Sequence, residues 1–141
     1  RMIIVLYDNT GESLKKAFSY IEHQHAGLSD HVNLSRIGDI ELRIAQLNQI
    51  PDRKTERRVT VVSNPQTGRE LALLRGMGAV VCHQYGALSP LYTTEIKISP
   101  LHDLHYVPHL TFSGLPGHVF TVDELLSECK VKHRKFRQRA K

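Results

Sequence analysis

At 141 residues with 40% hydrophobic content, the chain has the size and composition of one globular domain with at most a short appendage. No apolar run approaches the roughly 20 residues of a membrane helix, and two cysteines favour a reducing, cytoplasmic location over a disulfide-stabilised fold. The net charge of +5 is uneven, because residues 129–141 contain seven Lys and Arg and no acidic residue while the remaining sequence is slightly acidic.

The first half of the chain alternates apolar runs with amphipathic stretches. Their spacing predicts strands at residues 2–7 and 31–34 and helices at residues 12–23 and 39–49. Thr10 is placed to cap the first of these helices. Strands that alternate with helices of about 10 to 15 residues are typical of a parallel sheet.

The clearest unit in the sequence is a strand, a helix and a second strand between Arg57 and Gln84. Val59 begins a β-branched run that ends at Asn64, and Leu71 and Leu74 then recur at helical spacing. Two glycines end the helix, and the short apolar run after them suits a strand covered on both faces. We therefore predict an α/β fold: a doubly wound, mostly parallel sheet with flanking helices, followed by a basic C-terminal helical segment.

The final third of the chain has a less regular pattern. Residues 93–99 alternate between polar and apolar side chains, which predicts an edge or half-exposed strand. Residues 100–119 contain three Pro, two Gly and four His and are predicted to be irregular. The expected organisation is an α/β domain at 1–99, a Pro/Gly/His-rich loop at 100–119 and a basic helical segment at 120–141.

The segment VTVVSNPQTGRELALLRGMGAVVCHQ resembles the fourth strand, helix and fifth strand of response-regulator receiver domains. The shared features are the strand that ends at Ser63, the helix that runs into Gly78 and the strand after it. The resemblance covers residues 2–88 and implies a flavodoxin-like sheet, with Asp8 in the position of the acidic cluster after the first strand. No strand ends in a phosphoacceptor Asp, so the resemblance implies a degenerate receiver without aspartyl-phosphate chemistry.

Two loops follow predicted strands and precede predicted helices, at the edge where ligands bind in a doubly wound sheet. Asp8 and Thr10 belong to the first loop, and Ser63 and Asn64 belong to the second. Their hydroxyls and backbone N–H groups suit a phosphate, so these four residues are a candidate ligand crevice. The same residue types are also ordinary turn formers and helix caps, and this alternative stays open.

The histidines of the irregular segment offer two further candidate sites. His102, His105 and His109 have a spacing that suits zinc if the three share a helical face. His109 and Thr111 form one H-x-T element that resembles those of two-histidine phosphoesterases, and His105 completes this alternative catalytic set. The other interpretation is that these are surface and loop histidines without a ligand.

The segment 121–141 resembles a bacterial helix-turn-helix. Under this resemblance residues 121–129 form the supporting helix and residues 132–139 the recognition helix in the major groove. The alternative is a single amphipathic helix with a basic tail. In either case the residues expected to contact nucleic acid are Lys130, Lys132, His133, Arg134, Lys135, Arg137, Gln138 and Arg139.

The leading functional hypothesis is a non-enzymatic regulator that binds duplex DNA through this segment and uses the α/β domain for homodimerisation or partner sensing. Base contacts would come from Arg134 and Arg137. The phosphates would be held by Lys130, Lys132, Lys135 and Arg139. One alternative is a small phosphoryl- or nucleotide-handling enzyme that uses the strand-end crevice and the loop histidines. The other is a protein-interaction module with a basic docking tail. No cofactor, metal or membrane partner is expected.

Overall fold

The structure is a computed structural model that describes residues 2–7, 12–24, 29–34, 37–50, 58–85, 90–107 and 117–139. The strands are β1 (Met2–Tyr7), β2 (Ser29–Asn33), β3 (Val59–Ser63), β4 (Val80–Gln84), β5 (Leu104–Tyr106) and β6 (Val119–Phe120). The helices are α1 (Glu12–Gln24), α2 (Ile40–Asn48), α3 (Gly68–Gly76), α4 (Leu91–Thr94) and α5 (Val122–Arg139).

Within the described part of the chain, six strands form one sheet in the order β2-β3-β1-β4-β5-β6, and every neighbouring pair is parallel. The predicted α/β fold with a parallel sheet and flanking helices is confirmed. β1 lies between β3 and β4, whereas the flavodoxin-like order places the first strand between the second and third. The receiver resemblance itself stays a prediction.

The two faces of the sheet are covered by different helices, as right-handed crossovers require. The chain moves one way across the sheet from β1 to β2 and the opposite way from β2 to β3 and from β3 to β4. α1 therefore covers one face, where α5 joins it, and α2 and α3 cover the other. We call these the α1/α5 face and the α2/α3 face.

Each face has its own hydrophobic core, because alternate residues of the buried strands point in opposite directions. In β1, Ile4 and Leu6 point to the α1/α5 face, and Val5 and Tyr7 point to the α2/α3 face. The helices complete the two cores with Ala17, Ile21, Leu125, Leu126 and Cys129 on the first face and Leu47, Leu71 and Leu74 on the second.

A buried charged pair joins α2 to α3. Thr67 caps α3 in a capping box, in which Glu70 accepts hydrogen bonds from the Thr67 N–H at 2.8 Å and from the Gln66 N–H at 2.9 Å. The second Glu70 oxygen faces Arg43 Nε at 3.2 Å, and both side chains are buried. Arg43 also donates to the Gln66 side chain at 3.0 Å, so this ion pair has a structural role.

The prediction of a strand at residues 93–99 is wrong. The short helix α4 ends at Thr94, where Glu95 N–H and Ile96 N–H both donate to Leu91 O, and residues 96–99 form neither helix nor strand. The alternation that suggested a strand has another cause: Ile96 is buried in the core of the α2/α3 face, while Glu95 and Lys97 are exposed.

The segment 100–119, predicted to be irregular, contributes β5 and β6 to the sheet. β5 has three residues and β6 has two, which is too short to leave a period in the sequence. Pairing with β4 fixes β5 as a strand, and Leu104 and Tyr106 are buried on the α1/α5 face.

α5 is one continuous helix of 18 residues, so the turn that a helix-turn-helix requires near Lys130 is absent. The helix continues because residues 122–139 contain no Gly or Pro and Lys130 has a good helix propensity. The single amphipathic helix is thus the alternative that the structure contains. Among the described residues, no helix is both long and apolar enough to cross a membrane.

Candidate functional site

A row of aromatic and histidine rings crosses the α2/α3 face near the carboxyl ends of the strands. The register of β1, β4 and β5 puts Tyr7 beside His83 and His83 beside His105. The ring centroids are 5.4 Å apart in the first pair, which is stacked, and 5.5 Å apart in the second. His118 extends the row at 5.8 Å from His105, and Tyr85 lies 6.2 Å from His118. We call these five residues the ring row.

Hydrogen bonds fix the buried part of the ring row. Asp103, whose side chain is fully buried, accepts from His83 Nε2 at 2.8 Å and from Ser99 N–H at 3.0 Å. Arg75 donates to both Asp103 oxygens, at 2.6 and 2.8 Å, in a bidentate pair. His83 Nδ1 and the Tyr92 hydroxyl are hydrogen-bonded at 2.7 Å. Because both nitrogens of His83 are occupied, His83 positions the row and does not face a ligand.

The charge of Asp103 is maintained by its partners. Burial alone would raise the pKa of this carboxyl, but hydrogen bonds from Arg75, His83 and Ser99 N–H outweigh burial and lower the pKa to about 2. Asp103 is therefore ionised across the neutral range, and a carboxylate can only accept hydrogen bonds. It follows that His83 Nε2 carries the proton in this contact.

Tyr7 and His105, two members of the ring row, differ in burial and in the direction of their pKa shifts. The buried Tyr7 hydroxyl has no hydrogen-bond partner among the described residues, and burial together with the nearby Tyr92 and Glu70 raises its pKa. His105 is half-buried, and burial together with His83 and His118 lowers its pKa. A neutral imidazole at His105 can accept a proton or bind a metal, and the exposed His118 ring lies beside it.

The histidines chosen from the sequence are only partly brought together. His102 is exposed in the turn before β5, and His105 lies on β5. His109 and Thr111 lie outside the described residues. Among the residues that are described, no group of three or more His, Cys, Asp or Glu side chains could hold a metal ion.

The candidate crevice is also only partly described. Ser63 and Asn64 lie at the carboxyl end of β3, where Asn64 N–H donates to Leu6 O at 3.0 Å. Ser63 is buried, and its hydroxyl is hydrogen-bonded to His31 Nε2 at 3.0 Å. Asp8 and Thr10 lie outside the described residues.

Contacts with the core and with Leu101 fix the position of the basic part of α5 along the strands of the sheet. Leu125, Leu126 and Cys129 pack its first half into the core. Lys132 Nζ donates to Leu101 O at 2.8 Å, and Leu101 lies just before the amino end of β5. The residues that follow in the helix therefore extend past the amino edge of the sheet.

The length of α5 compared with that of a strand also indicates that the end of the helix extends past the sheet. The 18 residues of α5 span about 27 Å, whereas the five residues of β4 span about 17 Å. Lys130, Arg134 and Lys135 are exposed, and Lys132 and His133 are half-buried. The side chains of the other predicted contact residues, Arg137, Gln138 and Arg139, lie outside the description.

The sequence pattern did not single out Arg75, His83, Tyr92 or Asp103. His83 ends an apolar run, and a titratable residue at the end of a buried strand is the one local signal that could have identified it. Asp103 is 20 residues from His83 and 28 from Arg75, so no local spacing reveals the cluster.

Comparison with known proteins identifies neither region. The chain matches no protein-family model, and no curated protein or solved structure shows significant similarity to it.

Proposed function

We propose that the chain is a non-enzymatic regulatory protein that binds duplex DNA through the basic half of α5. The observation that carries this proposal is a continuous basic helix whose end projects past the amino edge of the sheet. Arg134 and Lys135 are exposed on the projecting end, Lys130 is exposed one turn before it, and no acidic residue follows Glu128.

The charges on this helix suit a polyanion better than a small anion. Residues 130–141 contain seven Lys and Arg, and six of them belong to α5. Lys130 and Arg134 are one helical turn apart, so both lie on the same face of the helix. Phosphate contacts position a protein on DNA without reading its sequence, and a single helix without a supporting helix favours this mode.

The α/β sheet has a different part in this proposal. It anchors α5 through the core of the α1/α5 face and leaves the ring row at the opposite edge of the sheet. Homodimerisation or the sensing of a partner would use that remaining surface. A protein-interaction module that docks its basic helix on an acidic protein is the alternative outcome.

Deletion of residues 130–141 tests the proposal. We expect loss of binding to duplex DNA, because all seven C-terminal cations are removed. We expect the fold to remain, because Leu125, Leu126 and Cys129 still pack against the sheet. Fluorescence anisotropy measures the binding, and circular dichroism checks the fold. Equal binding by the shortened and full chains would contradict the proposal.

A second candidate function is favoured by the contact between His105 and His118. Two imidazoles with ring centroids 5.8 Å apart suit the two sides of a phosphate ester, as general acid and base. Under this alternative the chain is a small phosphoryl- or nucleotide-handling enzyme.

Histidine NMR signals test this second candidate. Inorganic phosphate or AMP at millimolar concentration should shift the ring resonances of His105 and His118 and leave those of the exposed His23 unchanged. Substitution of His105 by alanine should abolish the shift at His118, and substitution of His118 by alanine should abolish the shift at His105, with His23→Ala as the matched control. Equal shifts at all three histidines, or no shift, would exclude the site.

A further inference from the structure

The two cysteines of the chain meet in the core of the α1/α5 face. Cys82 lies on β4 and Cys129 on α5, and both side chains are fully buried. Their Sγ atoms are 3.6 Å apart, and both are free thiols. The two cysteines are 47 positions apart in the sequence, so only folding brings them into contact.

The distance is that of two touching sulfur atoms. A disulfide bond is about 2.05 Å long, so the sulfurs must approach by roughly 1.5 Å. Side-chain rotation or a small shift of α5 supplies such a movement. Both thiols belong to a buried hydrophobic cluster that includes Leu125 and Leu126.

We propose that Cys82 and Cys129 form a reversible disulfide site that links α5 to the sheet. The oxidant is a low-molecular-weight disulfide such as glutathione disulfide. One cysteine thiolate attacks it, forms a mixed disulfide and releases one glutathione thiolate. The second cysteine then attacks the mixed disulfide and releases the other glutathione. Two cysteine thiols become one disulfide, and one glutathione disulfide becomes two glutathione molecules.

Burial of the two thiols limits the rate at which either of them attacks glutathione disulfide. Burial raises the pKa of Cys82, and the neighbouring Cys129 thiol adds to the effect, so the reactive thiolate is scarce in the closed state. Glutathione disulfide reaches the pair only when α5 separates from the sheet. The thiols thus persist in a reducing compartment, where protein disulfides are usually transient or redox-sensing. The inference does not depend on DNA binding.

Peptide mapping of the full chain tests the site. The folded protein is incubated with excess glutathione disulfide, alkylated and digested with trypsin. Cleavage after Arg75, Lys97 and Lys130 places Cys82 in peptide 76–97 and Cys129 in peptide 98–130. We expect these two peptides to be joined, and the intact monomer to be lighter by two hydrogen atoms. Dithiothreitol should restore the separate peptides.

Two variants and a melting curve complete the test. Cys82→Ala and Cys129→Ala, each with one thiol, should remain without the internal link. The linked wild-type chain should melt roughly 10 °C higher than the dithiol, because the link closes a long loop. Three results would overturn the proposal. The folded chain could carry glutathione adducts without the internal link, or form disulfides only between chains. It could also keep both thiols unmodified under conditions in which the denatured chain is oxidised. An unchanged melting temperature would show that the link does not tether α5.

Discussion

Substitution of Lys130 and Arg134 by glutamine is expected to weaken binding to duplex DNA by about 60-fold at roughly 0.1 M salt. Each phosphate contact releases counterions and contributes roughly a factor of 8 at that salt concentration, and the two contacts multiply. Both side chains are exposed and lie one helical turn apart in the basic half of α5. Fluorescence anisotropy with a labelled duplex measures the change.

The control for this variant is Lys15→Gln combined with Lys16→Gln. These lysines are exposed on α1, and their removal changes the net charge of the chain by the same amount. α1 begins at the carboxyl edge of the sheet, about 17 Å from the amino edge where α5 projects. We expect less than a threefold loss for the control. Equal losses in both variants would mean that net charge, and not α5, determines the affinity.

Substitution of Asp103 by alanine is expected to reduce the free energy of unfolding by about 3 kcal/mol. The change leaves Arg75, His83 Nε2 and Ser99 N–H without their shared acceptor. Loss of one partner from a buried ion pair has this order of cost, although Arg75 is 30% exposed and regains some hydration. For a domain of this size the melting temperature should fall by roughly 10 °C.

The pH dependence gives Asp103→Ala a second readout. The folded pKa of Asp103 is about 2 and lies below the ordinary value of about 3.9. The contribution of ionised Asp103 to the free energy of unfolding is therefore complete above about pH 5 and is lost as the pH falls towards 2. The variant should have a flatter unfolding profile over this range. Glu22→Ala removes an exposed carboxylate of α1 and should change neither quantity. A stability loss below 1 kcal/mol in Asp103→Ala would contradict the role assigned to the network.

Long elements with a complete hydrophobic period could be predicted from the sequence. The β-branched run of β3 and the spacing of Leu71 and Leu74 identified the central unit, because burial on a sheet requires those patterns. β5 and β6 could not be predicted, because two or three residues hold no period and pairing with β4 makes them strands. Ile96 gave a false strand signal because one anchored side chain between exposed residues imitates alternation.

The candidate sites were less accessible to sequence analysis. Positive charge at the end of the chain is a local property, so the basic helix could be identified, although its continuity through Lys130 depends on the absence of a helix breaker. The ring row and the Asp103 network depend on strand order, which brings β1, β4 and β5 together from distant parts of the sequence. Cys82 and Cys129 meet for the same reason.

The most direct test of the central claim is a titration of the full chain with a labelled DNA duplex at about 50 mM and about 200 mM salt. If at least three cations of α5 contact phosphates, the affinity should fall by roughly 40-fold or more between the two conditions. No binding at the lower salt concentration, or an affinity that does not change with salt, would contradict a phosphate-contacting helix.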